Sequence, residues 1–165
     1  WFYYNTESEM INRPQTLKAK TFGVPFVFRQ LERFKDIRKN DLICFIGPFK
    51  GYDKFGRVPL DVFLKNKKMI CNEMTLYKIT SDCYYSESKI WDYDTKTISP
   101  EKIKNYPHRF KFDTNEIANI EDIKISSLTL PSKTAMHKLP YTIFWEGKPD
   151  ILVDLISMGK LNKRK

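Results

Sequence analysis

The sequence predicts an α+β domain in which a curved sheet or partial barrel of short strands carries helices on its outside. Strand-like and helix-like segments follow one another without a regular βαβ rhythm, and most of the strand-like segments are short. The chain has 165 residues, of which 41% are hydrophobic, so one domain can bury a sizeable core without disulfides or metals. The expected domain spans residues 1–159, and residues 160–165 form a basic tail or a linker.

The strands are predicted from their apolar patterns. Six segments are expected to form strands: WFYYN (1–5), LICFI (42–46), TLYKITSDC (75–83), YPHRFKFD (106–113), IEDIKIS (120–126) and YTIFW (141–145). LICFI is continuously apolar, which is typical of a strand buried on both faces. YPHRFKFD alternates most clearly, with His108 on an inward face and Arg109 and Lys111 on a basic outer face.

Three helices and one long loop are expected between these strands. From residue 24 onward, Val27, Leu31 and Phe34 fall at the spacing of an amphipathic helix, and Pro25 suits its first turn. Two further helices are expected at 99–105 and at 150–158, the second ending at Gly159. Residues 47–60 hold three glycines and two prolines, which predicts a long exposed loop.

The charge of the chain points to a polyanionic partner. Lys and Arg number 29 against 20 Asp and Glu, which gives a formal charge of +9 and a pI near 9.4. Nucleic acid is the first candidate for such a basic domain. The alternative is a soluble protein whose surface is simply rich in lysine.

Cysteine usage and hydropathy indicate where the protein works. No apolar run approaches 18 residues and no secretory signal is present, so no membrane segment is expected. Cys44, Cys71 and Cys83 fit neither a disulfide framework nor a CxxC metal site, and Cys44 is expected to be a small core residue. A cytoplasmic location is the default expectation. Because the sequence begins at Trp1 rather than Met, it is expected to be a module of a longer polypeptide.

The sequence predicts a binding domain rather than an enzyme. His108 and His137 are its two histidines, which excludes a histidine-rich metal site. The chain has no P-loop, no GxGxxG fingerprint and no GxSxG elbow, and its acidic residues are dispersed. No catalytic residue, metal or cofactor is therefore expected.

Aromatic and basic residues lie close together in the sequence, as nucleotide binding requires. The segment DCYYSESKIWDYD, 82–94, sets four rings among polar residues, and its Trp91 and Tyr93 are expected to face a ligand. Flat rings accept the face of a base, while cations hold phosphates. The candidate phosphate-binding residues are Lys20, Arg29, Lys50, Lys54, Arg57, Lys102, Lys104, Arg109 and Lys111. Packing into the core is favoured for Tyr77, Phe110 and Phe112.

The order of these segments resembles the EVE and YTH branch of the PUA-like superfamily. The resemblance is carried by WFYYNTES, FGVP opening a helix, KNDLICFIG, YYSESKIW and YPHRFKFD, and it covers residues 1–113. It implies a small curved, mixed β-sheet or β-barrel with flanking helices. It also implies that a modified base is enclosed in an aromatic pocket.

The resemblance assigns the walls of that pocket. The implied pocket residues are Phe22, Trp91, Tyr93, Asn5, Thr6, Tyr84 and Tyr85. Phe22 stands where the family usually has a larger Trp, and Trp91 forms the second wall. Asn5 and Thr6 would contact the edge of the base, and the loop from Tyr93 would close the third wall. The segment 47–74 is longer than the usual connection, which suits a loop that grips duplex DNA.

These expectations combine into one leading function. Modules of this kind occur at the N-terminus of McrBC-type modification-dependent restriction subunits, ahead of a GTPase motor. The resemblance therefore implies a DNA-binding specificity module that flips and reads a methylated base. One alternative is an RNA-binding EVE or PUA-type reader of modified RNA, and another is a domain whose aromatic patch receives a peptide. Whether the base is adenine or cytosine stays open.

Overall fold

The computed structural model describes residues 1–5, 9–26, 28–49, 69–92, 106–125 and 144–146. Its helices are a short 3-10 helix η1 at Glu9–Asn12, α1 at Arg13–Ala19 and α2 at Leu31–Phe34. Its strands are β1 at Phe2–Tyr4, β2 at Thr21–Val24, β3 at Leu42–Ile46, β4 at Met69–Lys78, β5 at Tyr84–Tyr85, β6 at His108–Lys111, β7 at Ala118–Ile125 and β8 at Phe144–Trp145.

The strands form two sheets, which confirms the predicted α+β class. The larger sheet has the order β7-β4-β3-β1-β8, and the smaller has the order β2-β6-β5. The larger sheet is mixed, because β1 runs parallel to β3 while its other pairs are antiparallel. In the smaller sheet β6 lies in the middle and pairs antiparallel with both neighbours.

An aromatic core joins the two sheets. Phe22 of β2 lies at this junction: its ring centroid is 4.6 Å from Tyr3 of β1, 4.9 Å from Phe45 of β3 and 5.6 Å from Phe110 of β6. Phe34 of α2 also packs on Phe110, with the ring centroids 5.6 Å apart. Rings in contact add to the free energy of area burial, so the two sheets are fixed to each other at this point.

Most predicted strands are confirmed in their central parts, but β4 differs from its prediction. The alternation at 75–83 predicted a strand there, whereas β4 begins at Met69 and ends at Lys78. It starts earlier because it pairs with β7 from Met69↔Ile125 onward. The exposed loop predicted from residue 47 is wrong at its start, since Phe49 is buried and forms a β-bridge with Cys71.

The helix predicted from residue 24 is wrong at its beginning. Val24 ends strand β2, whose backbone pairs with β6 from Thr21↔Lys111 to Val24↔His108. This ladder satisfies the backbone of the segment, so the apolar spacing yields a single helical turn, α2, at Leu31–Phe34. Helix α1 was not predicted; it has a proline in its first turn and ends at Lys20 in the left-handed conformation, φ 50°.

Some predicted features lie outside the described residues. They are the helices at 99–105 and 150–158, the loop from residue 50 onward and the tail at 160–165.

Replacing Phe110 by Ala is expected to lower the free energy of unfolding by about 3–5 kcal/mol, because it empties the buried junction between the sheets. Urea denaturation measures the change. Phe26→Ala is the matched control: Phe26 is 38% exposed, and its removal should cost less than about 1 kcal/mol. Equal losses for the two variants would show that Phe110 is not at the junction that holds the sheets together.

Candidate ligand-binding cavity

A cavity opens beside the junction of the two sheets. Its empty volume is about 380 Å³, including the mouth that is open to solvent. That value falls in the range of sites for small ligands, about 300–1,000 Å³. The lining residues are Asn5, Glu9, Asn12, Arg13, Thr16, Phe22, Gly23, Trp91 and Tyr106.

Five segments of the chain meet at the cavity. Asn5 follows β1, and its backbone N–H extends the ladder to β3 by donating to the Ile46 carbonyl at 2.8 Å. η1 and α1 contribute residues 9, 12, 13 and 16, whose spacing places them along one side of a helix. β2 contributes Phe22 and Gly23, the segment after β5 contributes Trp91, and Tyr106 comes just before β6.

Trp91 is a buried wall of this cavity. It is 3% exposed, and its Nε1–H donates to the Thr16 hydroxyl oxygen at 2.8 Å. Its ring stands edge-on to Tyr106, with centroids 5.2 Å apart. The neighbouring Asp92 accepts from the Gln15 side chain at 2.6 Å, and its N–H donates to the Gln15 carbonyl oxygen at 3.1 Å. Helix α1 therefore holds the Trp91 segment at two adjacent positions.

The prediction that Arg109 lies on an outer, phosphate-binding face is wrong. Its side chain is 1% exposed. Nε donates to the Tyr106 carbonyl at 2.9 Å, Nη1 donates to the Ser88 hydroxyl at 2.8 Å, and Nη2 donates to the Ser88 carbonyl. The guanidinium carbon also lies 5.2 Å from the centre of the Trp91 ring. The residues 86–92 cover this face of β6, so the cation fixes that segment instead of meeting solvent.

Gly23 allows the Trp91 wall to approach β2. A Cβ atom at this position would lie 2.7 Å from the Tyr106 carbonyl oxygen and 2.8 Å from Cη2 of Trp91. Both distances are shorter than van der Waals contact, and one partner is backbone. Glycine is therefore required sterically, for a close approach rather than for a special backbone angle.

The polar residues of the cavity are an amide, a carboxylate and a guanidinium. Asn5 is 4% exposed, and its Nδ2 is buried without a hydrogen-bond partner among the described residues. Glu9 accepts the Tyr3 hydroxyl proton at Oε1, at 2.7 Å. Arg13 donates to the Tyr77 hydroxyl at 3.3 Å and lies over the Phe45 ring, 4.7 Å from its centre.

Three of the predicted pocket residues meet at the cavity, and two do not. Asn5, Phe22 and Trp91 all line it. Tyr84 and Tyr85 form β5, and neither lines the cavity. Thr6 and Tyr93 lie outside the described residues.

Tyr85 instead belongs to an exposed aromatic rim. It is 48% exposed and stands edge-on to His108, with centroids 5.3 Å apart, while Phe26 stacks on the imidazole at 6.0 Å. His108 was predicted to face the core with its polar atoms satisfied. It is half-buried, its Nε2 has no partner among the described residues, and burial lowers its pKa.

The other predicted phosphate-binding residues divide by whether they are described. Lys20, Arg29 and Lys111 are exposed, as a phosphate contact requires. Lys50, Lys54, Arg57, Lys102 and Lys104 lie outside the described residues.

The sequence-based prediction missed most of the helical side of the cavity. The missed lining residues are Glu9, Asn12, Arg13, Thr16, Gly23 and Tyr106. The first four follow the spacing i, i+3, i+4, i+7, which was a usable signal for a helix. Pro14 in the first turn of α1 was a second one.

Arg109→Lys is expected to lower the free energy of unfolding by about 2–3 kcal/mol, because an ammonium cannot make the three directed hydrogen bonds of the buried guanidinium. Urea denaturation followed by tryptophan emission measures it, and a red shift is expected as Trp91 loosens. Arg33→Lys, on the exposed face of α2, is the control and should change stability by less than about 0.5 kcal/mol. A neutral Arg109→Lys variant would contradict the structural role.

Comparison with known proteins gives no family for this chain. A scan against models of protein families finds no match, and a search of curated proteins finds no significant match. Within the described residues, no helix is long and apolar enough to cross a membrane, and no group of three or more His, Cys, Asp or Glu residues could hold a metal ion. The function is therefore inferred from the cavity and the charge of the chain.

Proposed function

We propose that the chain is a nucleic-acid-binding specificity module that binds DNA and holds one flipped, modified base in the cavity. It would act as the targeting domain of a modification-dependent restriction system in the cytoplasm, ahead of a motor in the same polypeptide. Its fold would be of the PUA-like, EVE or YTH type. The module itself would carry no catalytic residue and no cofactor.

The observation that carries this proposal is an unsatisfied donor inside an aromatic cavity. Nδ2 of Asn5 is buried without a described partner, in a cavity that Phe22 and Trp91 also line. Leaving a buried donor unpaired costs about 1–3 kcal/mol. A ligand that combines a flat ring with a hydrogen-bond acceptor recovers that cost, and a nucleobase has both.

The energies are of the right size for base flipping. Extruding a base costs a few kcal/mol, and each base–aromatic stack returns roughly 1–3 kcal/mol. Phosphate contacts supply further affinity, for which the +9 charge and the exposed Lys20, Arg29 and Lys111 are suited. A buried methyl group contributes only about 0.8 kcal/mol, so discrimination has to come from polar groups that a wrong base leaves unpaired.

The segments that carry the family resemblance surround the cavity. The β1 exit supplies Asn5, the FGVP segment supplies Phe22 and Gly23, the YYSESKIW segment supplies Trp91, and Tyr106 begins YPHRFKFD. This coincidence supports a PUA-like fold.

Trp91→Leu is expected to abolish the preference for a methylated base while keeping a salt-dependent background affinity, because the ring is lost and the cations remain. Fluorescence anisotropy on matched oligonucleotides, with and without the methyl group, measures both quantities. Phe26→Leu removes an aromatic ring outside the cavity and should preserve the preference. Thermal unfolding establishes that both variants are folded. An unchanged preference in folded Trp91→Leu would refute the cavity as the reader.

The partner class is tested with the wild-type chain. Duplex DNA, single-stranded DNA and RNA are compared, each with and without base methylation. The proposal expects the highest affinity for methylated duplex DNA. A preference for RNA would favour a reader of modified RNA, and no binding at physiological salt would favour a peptide partner.

A further inference from the structure

The cavity presents a hydrogen-bond donor that the fold does not use. The Asn5 side chain is 96% buried, and Nδ2 points to no acceptor among the described residues. The backbone N–H of the same residue is bonded to the Ile46 carbonyl, so the position of Asn5 is set without its side chain. The amide is therefore held in place to meet an acceptor from outside the fold.

The cavity also presents an acceptor whose orientation is fixed. The buried Tyr3 hydroxyl donates to Oε1 of Glu9 at 2.7 Å. Burial and the charge of Glu9 raise the pKa of Tyr3 well above its ordinary value, so Tyr3 keeps its proton and remains the donor. A carboxylate can accept about four hydrogen bonds, which leaves capacity for an N–H group of a ligand.

The charges of the described lining residues balance. Glu9 is the one acidic residue and Arg13 the one basic residue in that set. Arg13 is bonded to the Tyr77 hydroxyl and lies over the Phe45 ring, so its charge is already partly matched by the fold. A balanced set favours a neutral ligand over a phosphate or a carboxylate, which would have to lose its hydration beside Glu9.

We propose that the cavity selects a base with an exocyclic amino group, whose N–H donates to Glu9 while an acceptor of the same base receives Nδ2–H of Asn5. This specificity rests on the proposed function, because it assumes that a nucleobase enters the cavity. An amino group has two N–H bonds, so a singly methylated amine still has one for Glu9. Thymine, which has no amino group, is excluded.

The test removes the amino group from the ligand and the acceptor from the protein. Duplexes carry one probe base opposite an abasic site, so that differences in base pairing do not contribute. The probe pairs are adenine and purine, cytosine and 2-pyrimidinone, and guanine and hypoxanthine, and thymine is a single probe. Anisotropy gives the affinity of wild-type protein and of Glu9→Gln, in which Tyr3 can still donate to the amide oxygen while an NH₂ group replaces the second acceptor.

In the pair that binds wild-type protein most tightly, loss of the amino group is expected to lower the affinity about 10-fold or more, since a hydrogen bond to a charged group is lost. In Glu9→Gln that difference should shrink to less than about 3-fold. Asn5→Ala should weaken both members of the pair equally. Glu87→Gln is the matched control: Glu87 accepts the Tyr85 hydroxyl proton at 2.6 Å outside the cavity, and its variant should behave like wild type.

The outcomes separate this inference from the function on which it rests. If wild-type protein binds none of these duplexes, both are overturned. If it binds them but prefers thymine, or does not respond to loss of the amino group, the inference alone is overturned. The wild-type comparison decides this even if Glu9→Gln fails to fold.

Discussion

The buried guanidinium of Arg109 is the interaction on which the cavity depends. It joins the middle strand of the smaller sheet to Ser88, to the Tyr106 carbonyl and to the Trp91 ring. An isolated buried charge would be costly, and three hydrogen bonds with an aromatic face meet that cost. Because all these partners lie in the segments that flank the cavity, one side chain fixes the position of the Trp91 wall.

The remaining contacts complete a wall that is formed before any ligand arrives. Thr16 of α1 accepts the indole N–H, and the absent side chain of Gly23 lets the ring lie against β2. Phe22 belongs both to the cavity and to the aromatic core, so the cavity shares its support with the most buried part of the fold. A ligand then meets a rigid surface and loses little binding free energy in ordering it.

The sequence predicted the elements whose cause is local and failed where the cause is a distant segment. Period-2 alternation identified β6, and continuous apolarity identified β3. The same alternation placed Arg109 outside, because it cannot register that residues 86–92 cover that face. Strand β2 was mistaken for the start of a helix because its partner, β6, lies more than eighty residues away in the sequence. Asn5, Phe22 and Trp91 could be assigned to one pocket from the family resemblance, whereas the helical side was missed along with α1.

The central claim is that a base enters the cavity and engages Asn5 and Trp91. The most direct test is an NMR titration of labelled protein with a methylated duplex, following the side-chain amide of Asn5 and the indole N–H of Trp91. Both resonances are predicted to shift at saturation, while the amide of Asn40, in an exposed turn, stays in place. Binding that shifts other resonances and leaves those of Asn5 and Trp91 unchanged would contradict the account.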